Sequence, residues 1–150
     1  TQGAPGLRKH GVGASSPAVH GFRYNARVMA RHLAETHLGH PCPRERVELD
    51  RLVPYLLEEA SSAPELWAQK SYLARAVAED GASEIVPLAG FLDEAGPDAV
   101  AIAVEMNADG GVYPAVYVRR GGEIAERLLP SQQLNDFRGP DYERELRAAL

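Results

Sequence analysis

Side chains that can bind zinc or copper are concentrated in the first third of the sequence. All five histidines lie between positions 10 and 40, and the single cysteine follows at Cys42. His37, His40 and Cys42 fall within six residues and could offer nitrogen and sulfur ligands to one metal ion. A rigid site usually needs a fourth ligand, and neither a second cysteine nor a closely spaced histidine pair supplies it. We favour a structural role without metal, because the helix dipole also stabilises histidine near a helix C-terminus.

Arginine recurs every four residues at Arg23, Arg27 and Arg31, so a helix would carry these side chains as one basic stripe. Guanidinium groups match the geometry of phosphate and carboxylate, and the stripe could bind an anionic ligand or an acidic partner. A solvated helix face is the more common outcome of such spacing. In that case we expect Glu35, four residues after Arg31, to pair with it on the surface.

Other groups that could carry chemistry have weaker patterns. The stretch 11–16 is similar to a phosphate-binding turn, but a dinucleotide fingerprint needs a third glycine and a preceding apolar strand. No serine has the spacing of a nucleophile elbow. Cys42 could act as a nucleophile with His37 or His40, although closeness in sequence says little about closeness in space. The sequence therefore assigns no catalytic residue.

The composition is that of one globular domain. The chain has 150 residues, of which 45% are apolar and 25% charged. The net charge of -5 argues against nonspecific binding to nucleic acid, which requires a surplus of Lys and Arg. The longest apolar run, 99–104, is far shorter than the ~20 residues that cross a bilayer. With its single cysteine, the chain is expected to be cytoplasmic, with no membrane or nucleic-acid partner.

The first predicted element is a helix over 22–38. Gly39, with Pro41 two residues later, supplies its stop signal. Its apolar residues recur at helical spacing and define one face. These residues are Phe22, Ala26, Met29, Leu33 and Leu38.

Four further helical regions are predicted after the first helix. The region 43–60 has helical spacing and is bent or divided by Pro54. Ser62 and Glu65 form a capping box that begins another helix, which should end near Glu79. The shorter predictions are a helix at 84–95, which could also be a strand, and a final helix at 140–150.

Alternating side chains and tight turns predict three antiparallel strands at 99–106, 112–119 and 123–129. One face of the first strand consists of alanines, which suggests that a helix packs closely against it. Pro114 argues for a free edge or a bulge in the second strand. A row on that strand could form a binding surface or a half-buried sheet face: Tyr113, Tyr117 and Arg119.

The expected fold is therefore α+β, with N-terminal helices followed by a three-stranded antiparallel β-meander and a C-terminal helix. We expect a single domain over 22–150, preceded by a flexible or extended arm at 1–21, which is rich in glycine. The chain opens on Thr1 instead of methionine, from which we expect a processed chain or a part of a larger one.

Two short segments near the N-terminus have a more specific pattern. Residues 1–7 read T-Q-G-A-P-G-L, and residues 30–34 read A-R-H-L-A at the end of the first predicted helix. Together, within residues 1–35, they resemble the final segment of FAD-dependent pyridine-nucleotide oxidoreductases. In that family a T-x-x-P-G-L-Y strand leads past the flavin into the last helix of the FAD domain. The chain departs from the family at Arg8, where an aromatic residue is usual, and lacks the glycine-rich ADP-binding fingerprint.

The resemblance implies a non-catalytic C-terminal accessory domain or small subunit of a flavin-dependent oxidoreductase. It implies that Gly21, Phe22, Arg23 and Asn25 lie near FAD. The chain alone would bind no cofactor, because the adenine and pyrophosphate site belongs to the remainder of the larger flavoprotein, which would be its partner. This hypothesis predicts that residues 1–38 pack poorly on the rest of the chain and expose an apolar face.

The alternative is a free-standing protein-interaction module without catalytic activity. Such a module, as a monomer or a homodimer, would bind a protein partner through a sheet face or an edge strand. It predicts that the first helix belongs to the core of the domain. A small hydrolase or metalloenzyme built on His37, His40 and Cys42 is a third hypothesis.

Overall fold

The computed structural model describes residues 19–150, with side chains from residue 21 onward. Its elements are, in chain order, α1 (Val19–His37), β1 (Glu45–Arg46), a 3-10 turn (Leu49–Arg51), α2 (Leu52–Ser62), α3 (Pro64–Ala68), β2 (Leu73–Ala78), β3 (Ala82–Pro87), α4 (Leu88–Asp93), β4 (Ala99–Met106), β5 (Val112–Arg120), β6 (Glu123–Leu128) and α5 (Pro140–Ala149). The strands form one antiparallel sheet in the order β1-β3-β2-β4-β5-β6.

The α+β class is confirmed, and so are the three predicted strands, which are β4, β5 and β6. The three-stranded meander is nevertheless only half of the sheet, because β2 pairs with β4 from Ala74↔Ala103 to Ala78↔Ala99 and β3 and β1 extend it further. The prediction of a helix reaching Glu79 is wrong. α3 ends at Ala68, and the chain enters β2.

The alanines of β2 explain this error. Alanine favours helices in isolation, but tertiary packing overrides such preferences. Ala74 and Ala76 are buried on one face of the sheet, against alanines of β4. Leu73 and Val77 point to the opposite face and join the main core. The period-two alternation of this segment, and not its alanine content, corresponds to its structure.

The two faces of the sheet are covered differently. One face packs against α2, α3 and α5, and this main core includes Leu56, Leu66 and Phe137, all fully buried. The alanine face carries α4, whose Leu88 and Phe91 pack against it. The helix expected over the alanines is therefore present. It has six residues, and part of the face borders a groove.

Pro114 lies in a central strand, whose pairing with β4 runs without a bulge through Val104↔Pro114. Pairing between β5 and β6 begins at Ala115↔Leu128, which places Pro114 just beyond the end of β6. Its carbonyl accepts a hydrogen bond from the Leu129 N–H at 2.9 Å. The missing proline N–H would point to the same side, so proline loses one ladder bond, the reciprocal one to the Leu129 carbonyl, at the end of the β5–β6 pairing.

The remaining helix predictions are partly correct. Residues 43–60 begin with β1 and the 3-10 turn, and Pro54 lies in the first turn of α2, where it causes no bend. The capping box is wrong, because Ser62 donates to the Glu58 carbonyl at 2.9 Å and Ala63 is the N-cap of α3. Residues 84–95 contain both a strand and a helix, and α5 confirms the final helix.

Residues 1–18, which hold most of the predicted arm and the stretch 11–16, lie outside the described residues. Residues 19–21, also assigned to the arm, belong to α1. Among the residues that the structure describes, no helix is long and apolar enough to span a bilayer.

Gly81 is required in the β2–β3 turn for two reasons. Its φ is +82°, and a Cβ there would lie 2.5 Å from the Val47 carbonyl oxygen. We expect Gly81→Ala to lower the free energy of unfolding by about 2–4 kcal/mol, because left-handed strain and a backbone clash add. Gly122→Ala is the control, since Gly122 has φ +86° but no atom near its Cβ position. Urea denaturation measures both variants, and equal losses would contradict the clash.

Candidate functional site

The inner side of α1 contacts the body of the protein. α1 packs beside α3 and β3. Tyr24 is buried in the main core, Val28 packs against that core, and Arg31 and Glu35 continue the same side. At 3.6 residues per turn, these four positions fall within about 60° of one another around the helix axis. One narrow side therefore holds α1 in place.

The apolar face of α1 points away from the body. Phe22 is 50% exposed, Met29 60% and Leu33 44%. These positions fall within about 40° of one another and lie nearly opposite Tyr24 around the axis. We call Phe22, Met29 and Leu33 the outward stripe. Apolar side chains grouped in this way on a surface commonly mark a contact with another molecule.

The four residues implied to lie near FAD do not share one side of α1, because successive residues project about 100° apart. Gly21 is buried, whereas Phe22 belongs to the outward stripe. Arg23 donates to the Tyr24 hydroxyl at 2.6 Å and lies over its ring. Asn25 is half-buried and borders the groove. Their contact with a flavin stays a prediction.

The basic stripe is divided among separate ion pairs. Arg27 lies 3.3 Å from a Glu65 carboxylate oxygen of α3, and Arg31 lies 3.7 Å from Glu84 of β3. Both arginines line a cavity of about 190 Å³. Its charged lining contains arginines and glutamates in equal number: Arg27, Arg31, Arg75, Glu45, Glu65 and Glu84. Since the positive charges are balanced, this cavity is a poor anion site.

Glu35 pairs with Arg44, so the expected Arg31–Glu35 pair is wrong. The two terminal nitrogens of Arg44 donate to the two carboxylate oxygens at 2.9 and 3.0 Å, in a bidentate arrangement. The Cys42 N–H donates to the same carboxylate at 3.1 Å. The bonds from Arg44 and then from Cys42 lower the pKa of Glu35 below its ordinary value. This pair connects the end of α1 to the following loop.

The Glu35 pKa gives a pH-dependent prediction. A lowered pKa in the folded state means that this carboxyl stabilises the fold above its unfolded pKa, and that the contribution is lost as pH falls through the lowered value. Arg44→Met should return the Glu35 pKa towards 4.5, measured by NMR titration of the carboxyl carbon. Arg46→Met, which removes a surface pair with Asp80, should leave it unchanged. An unaltered Glu35 pKa in Arg44→Met would contradict the assignment.

His37 and His40 are exposed, and Cys42 is half-buried. The His37 ring lies edge-on to His32 with centroids 6.4 Å apart, while the Cys42 thiol donates to the His40 carbonyl at 3.9 Å. Within residues 19–150, no three His, Cys, Asp or Glu side chains are grouped as metal ligands would be. The structure thus supplies no geometric support for metal or cysteine chemistry at this loop.

The structure also contains a buried polar cluster that the sequence did not predict. Ser71, with φ +59°, donates to Glu105, and both are 3% exposed. The Tyr117 hydroxyl donates to Glu105 at 3.5 Å, and burial raises the pKa of Tyr117 above its ordinary value. Alternation along β4 could have placed Glu105 on the alanine face, but no pattern links it to Ser71. Because the serine hydroxyl is buried and bonded, we assign the cluster a structural role.

Comparisons with protein-family models, with curated proteins and with solved structures find no match to this chain. Its function must therefore be argued from its own surfaces, of which the outward stripe of α1 is the most distinctive.

Proposed function

We propose that this chain is a non-catalytic accessory domain of a flavin-dependent oxidoreductase and that it docks through α1. The observation that carries the proposal is the outward stripe, whose three large apolar side chains share one exposed helix face. A helix that presents such a face to a hydrophobic groove is a recurring mode of protein recognition.

The inner side of α1 packs on the rest of the chain, contrary to the poor packing that the hypothesis predicts for this helix. Tyr24 and Val28 contact the main core, and Arg31 and Glu35 are bound to Glu84 and Arg44. Because the helix is fixed before it meets a partner, little conformational entropy is lost on docking. The outward stripe is thus presented on a preorganised surface.

The size of the stripe bears on the kind of assembly. Complete burial of a Leu, Met or Phe side chain contributes about 1.5–3 kcal/mol, and these three are already roughly half buried. Their docking would contribute roughly 2–5 kcal/mol, which is comparable with or below the cost of association. The stripe alone would bind weakly. It would bind stably as part of a larger interface, as in an accessory domain of an assembly.

The identity of the partner as an FAD domain depends on the resemblance within residues 1–35. The A-R-H-L-A segment at 30–34 divides between the two sides of the helix. Arg31 faces the body and pairs with Glu84, while Leu33 belongs to the outward stripe. One side of this helix would then contact the rest of this chain, and the opposite side would contact the FAD domain.

A free-standing interaction module is less well supported. It predicts that the first helix belongs to the core, which is correct for Tyr24 but not for Phe22, Met29 and Leu33, which are exposed. Its binding surface would be the edge strand β6, which lies at the end of the sheet.

Replacing two stripe residues tests the docking proposal. We expect the double variant Met29→Glu/Leu33→Glu to fold but to recover at least about tenfold less partner, because a charge must then be buried at the interface. The measurement is affinity purification from the source cells, with flavin fluorescence of the recovered complex as the readout. Leu128→Glu/Leu134→Glu is the matched control, since these leucines are 47% and 84% exposed and do not belong to α1.

Two outcomes would overturn the proposal. Recovery of a complex without flavin would contradict a flavin-dependent oxidoreductase as the partner. Undiminished recovery of the partner by the stripe variant would contradict α1 as the docking surface. Circular dichroism of each purified variant establishes that the chain is folded.

A further inference from the structure

A groove of about 770 Å³ lies beside the alanine face of the sheet. Ala76, Ala78 and Ala99 contribute to its floor, α1 lines it with Asn25 and His32, and the segment 90–97 completes it. Its volume is in the range of small-molecule sites, which are mostly apolar with few polar groups. The small alanine side chains leave this space open.

Arg119 lines the groove and is 7% exposed. It projects from β5 beside its cross-strand partner Ala99. Its Nη1 donates to the Pro97 carbonyl at 3.3 Å, its Nη2 donates to the Phe91 carbonyl, and its guanidinium lies 4.2 Å from the Phe91 ring centroid. A side chain on Gly96 would collide with Nη1. The guanidinium is therefore held in one position.

The positive charge of Arg119 has no carboxylate partner among the described residues. Of the groove's glutamates, Glu35 and Glu84 bind Arg44, and Glu94 is exposed and forms no ion pair with Arg119. Buried charges in proteins are normally paired, and an Arg guanidinium has five N–H donors. The carbonyl oxygens of Pro97 and Phe91 accept hydrogen bonds from only two of these five donors. The local environment is therefore suited to an added anion.

We propose that the groove binds a small carboxylate with an apolar body. The carboxylate accepts hydrogen bonds from Arg119, whose planar fork matches it, and the apolar body lies on the alanine floor. Arg31 and Arg44 also line the groove, but they pair with Glu84 and Glu35. One guanidinium without a carboxylate partner, beside an apolar floor, suits a monoanion better than a phosphate, which is usually surrounded by several donors. This ligand site shares Met29 with the outward stripe, whereas Phe22 and Leu33 lie outside its lining, and it does not depend on the docking partner.

Calorimetric titration with decanoate tests the proposal, with decanol as the matched ligand that lacks the charge. We expect decanoate to bind the unmodified chain at least about tenfold more tightly than decanol does, because decanol cannot form the charge-assisted hydrogen bond to Arg119. Arg119→Met should weaken decanoate binding at least about tenfold. Arg127→Met, at an exposed arginine of β6, should not.

A second variant keeps the test decisive if Arg119→Met fails to fold. Ala78→Leu adds volume at a half-buried floor position and should also weaken decanoate binding. Leu33→Glu alters the outward stripe outside the groove lining and should leave binding intact, which separates this site from the docking surface. Absence of decanoate binding, equal binding of decanol, or undiminished binding by Ala78→Leu would each overturn the proposal.

Discussion

Replacement of Phe137 by alanine should lower the free energy of unfolding by about 3–5 kcal/mol, whereas Phe22→Ala should cost less than about 1 kcal/mol. Phe137 is fully buried in the main core, and its ring meets Tyr142 edge-on with centroids 5.4 Å apart. Phe22 is 50% exposed on the outward stripe. The same substitution thus removes a core side chain in one case and a surface side chain in the other.

Urea denaturation of the two variants measures this difference under identical conditions. The comparison is internal, because both substitutions delete the same atoms from the same residue type. Comparable losses would contradict the exposure of the outward stripe, since they would mean that Phe22 is packed within the folded chain.

Ser71→Ala should destabilise the fold by about 2–3 kcal/mol, because it removes a donor from the buried Glu105 carboxyl. Ser71→Gly should cost about 1 kcal/mol less, since glycine adopts the positive φ of this position without strain. The two variants therefore separate the hydrogen bond from the backbone conformation.

Ser62→Ala is the control for the serine series. Ser62 is exposed, and its hydroxyl bonds within α2, so its replacement should change stability by less than about 0.5 kcal/mol. Chemical denaturation followed by tryptophan fluorescence reports on all three variants. A Ser71→Ala loss no larger than that of Ser62→Ala would contradict a stabilising role for the buried cluster.

The strands near the C-terminus could be predicted because their signals are local. Alternation over 99–106 and glycine turns before 112 and after 120 specify hairpins without reference to the rest of the chain. β2 could not be separated from a helix on local grounds, since its alanines favour a helix and only their pairing with the alanines of β4 selects the strand.

The position of α1 could be predicted, but its orientation could not. Spacing identifies which residues share a side of the helix, and it placed Phe22, Met29 and Leu33 together. Spacing does not say which side meets the body. The choice is made by Tyr24 in the main core and by two ion pairs to later parts of the chain, Arg31–Glu84 and Arg44–Glu35.

The groove and the buried cluster depend on contacts between distant parts of the chain. Arg119 approaches Phe91 and Pro97, and Ser71 approaches Glu105, across separations of more than twenty residues. No short motif encodes such pairs. The aromatic and basic row predicted on β5 was the nearest signal, because it contains both Tyr117 and Arg119. The structure buries both side chains on the alanine face.

Oxidation of the methionines by peroxide tests the docking of α1 most directly. The chain has two, Met29, which is 60% exposed on the outward stripe, and Met106, which is half-buried in β4. In the isolated chain Met29 should oxidise faster than Met106. In a complex with the proposed flavin-containing partner, Met29 should be protected at least about tenfold while Met106 is unchanged. Equal oxidation of Met29 with and without that partner would contradict docking through the outward stripe.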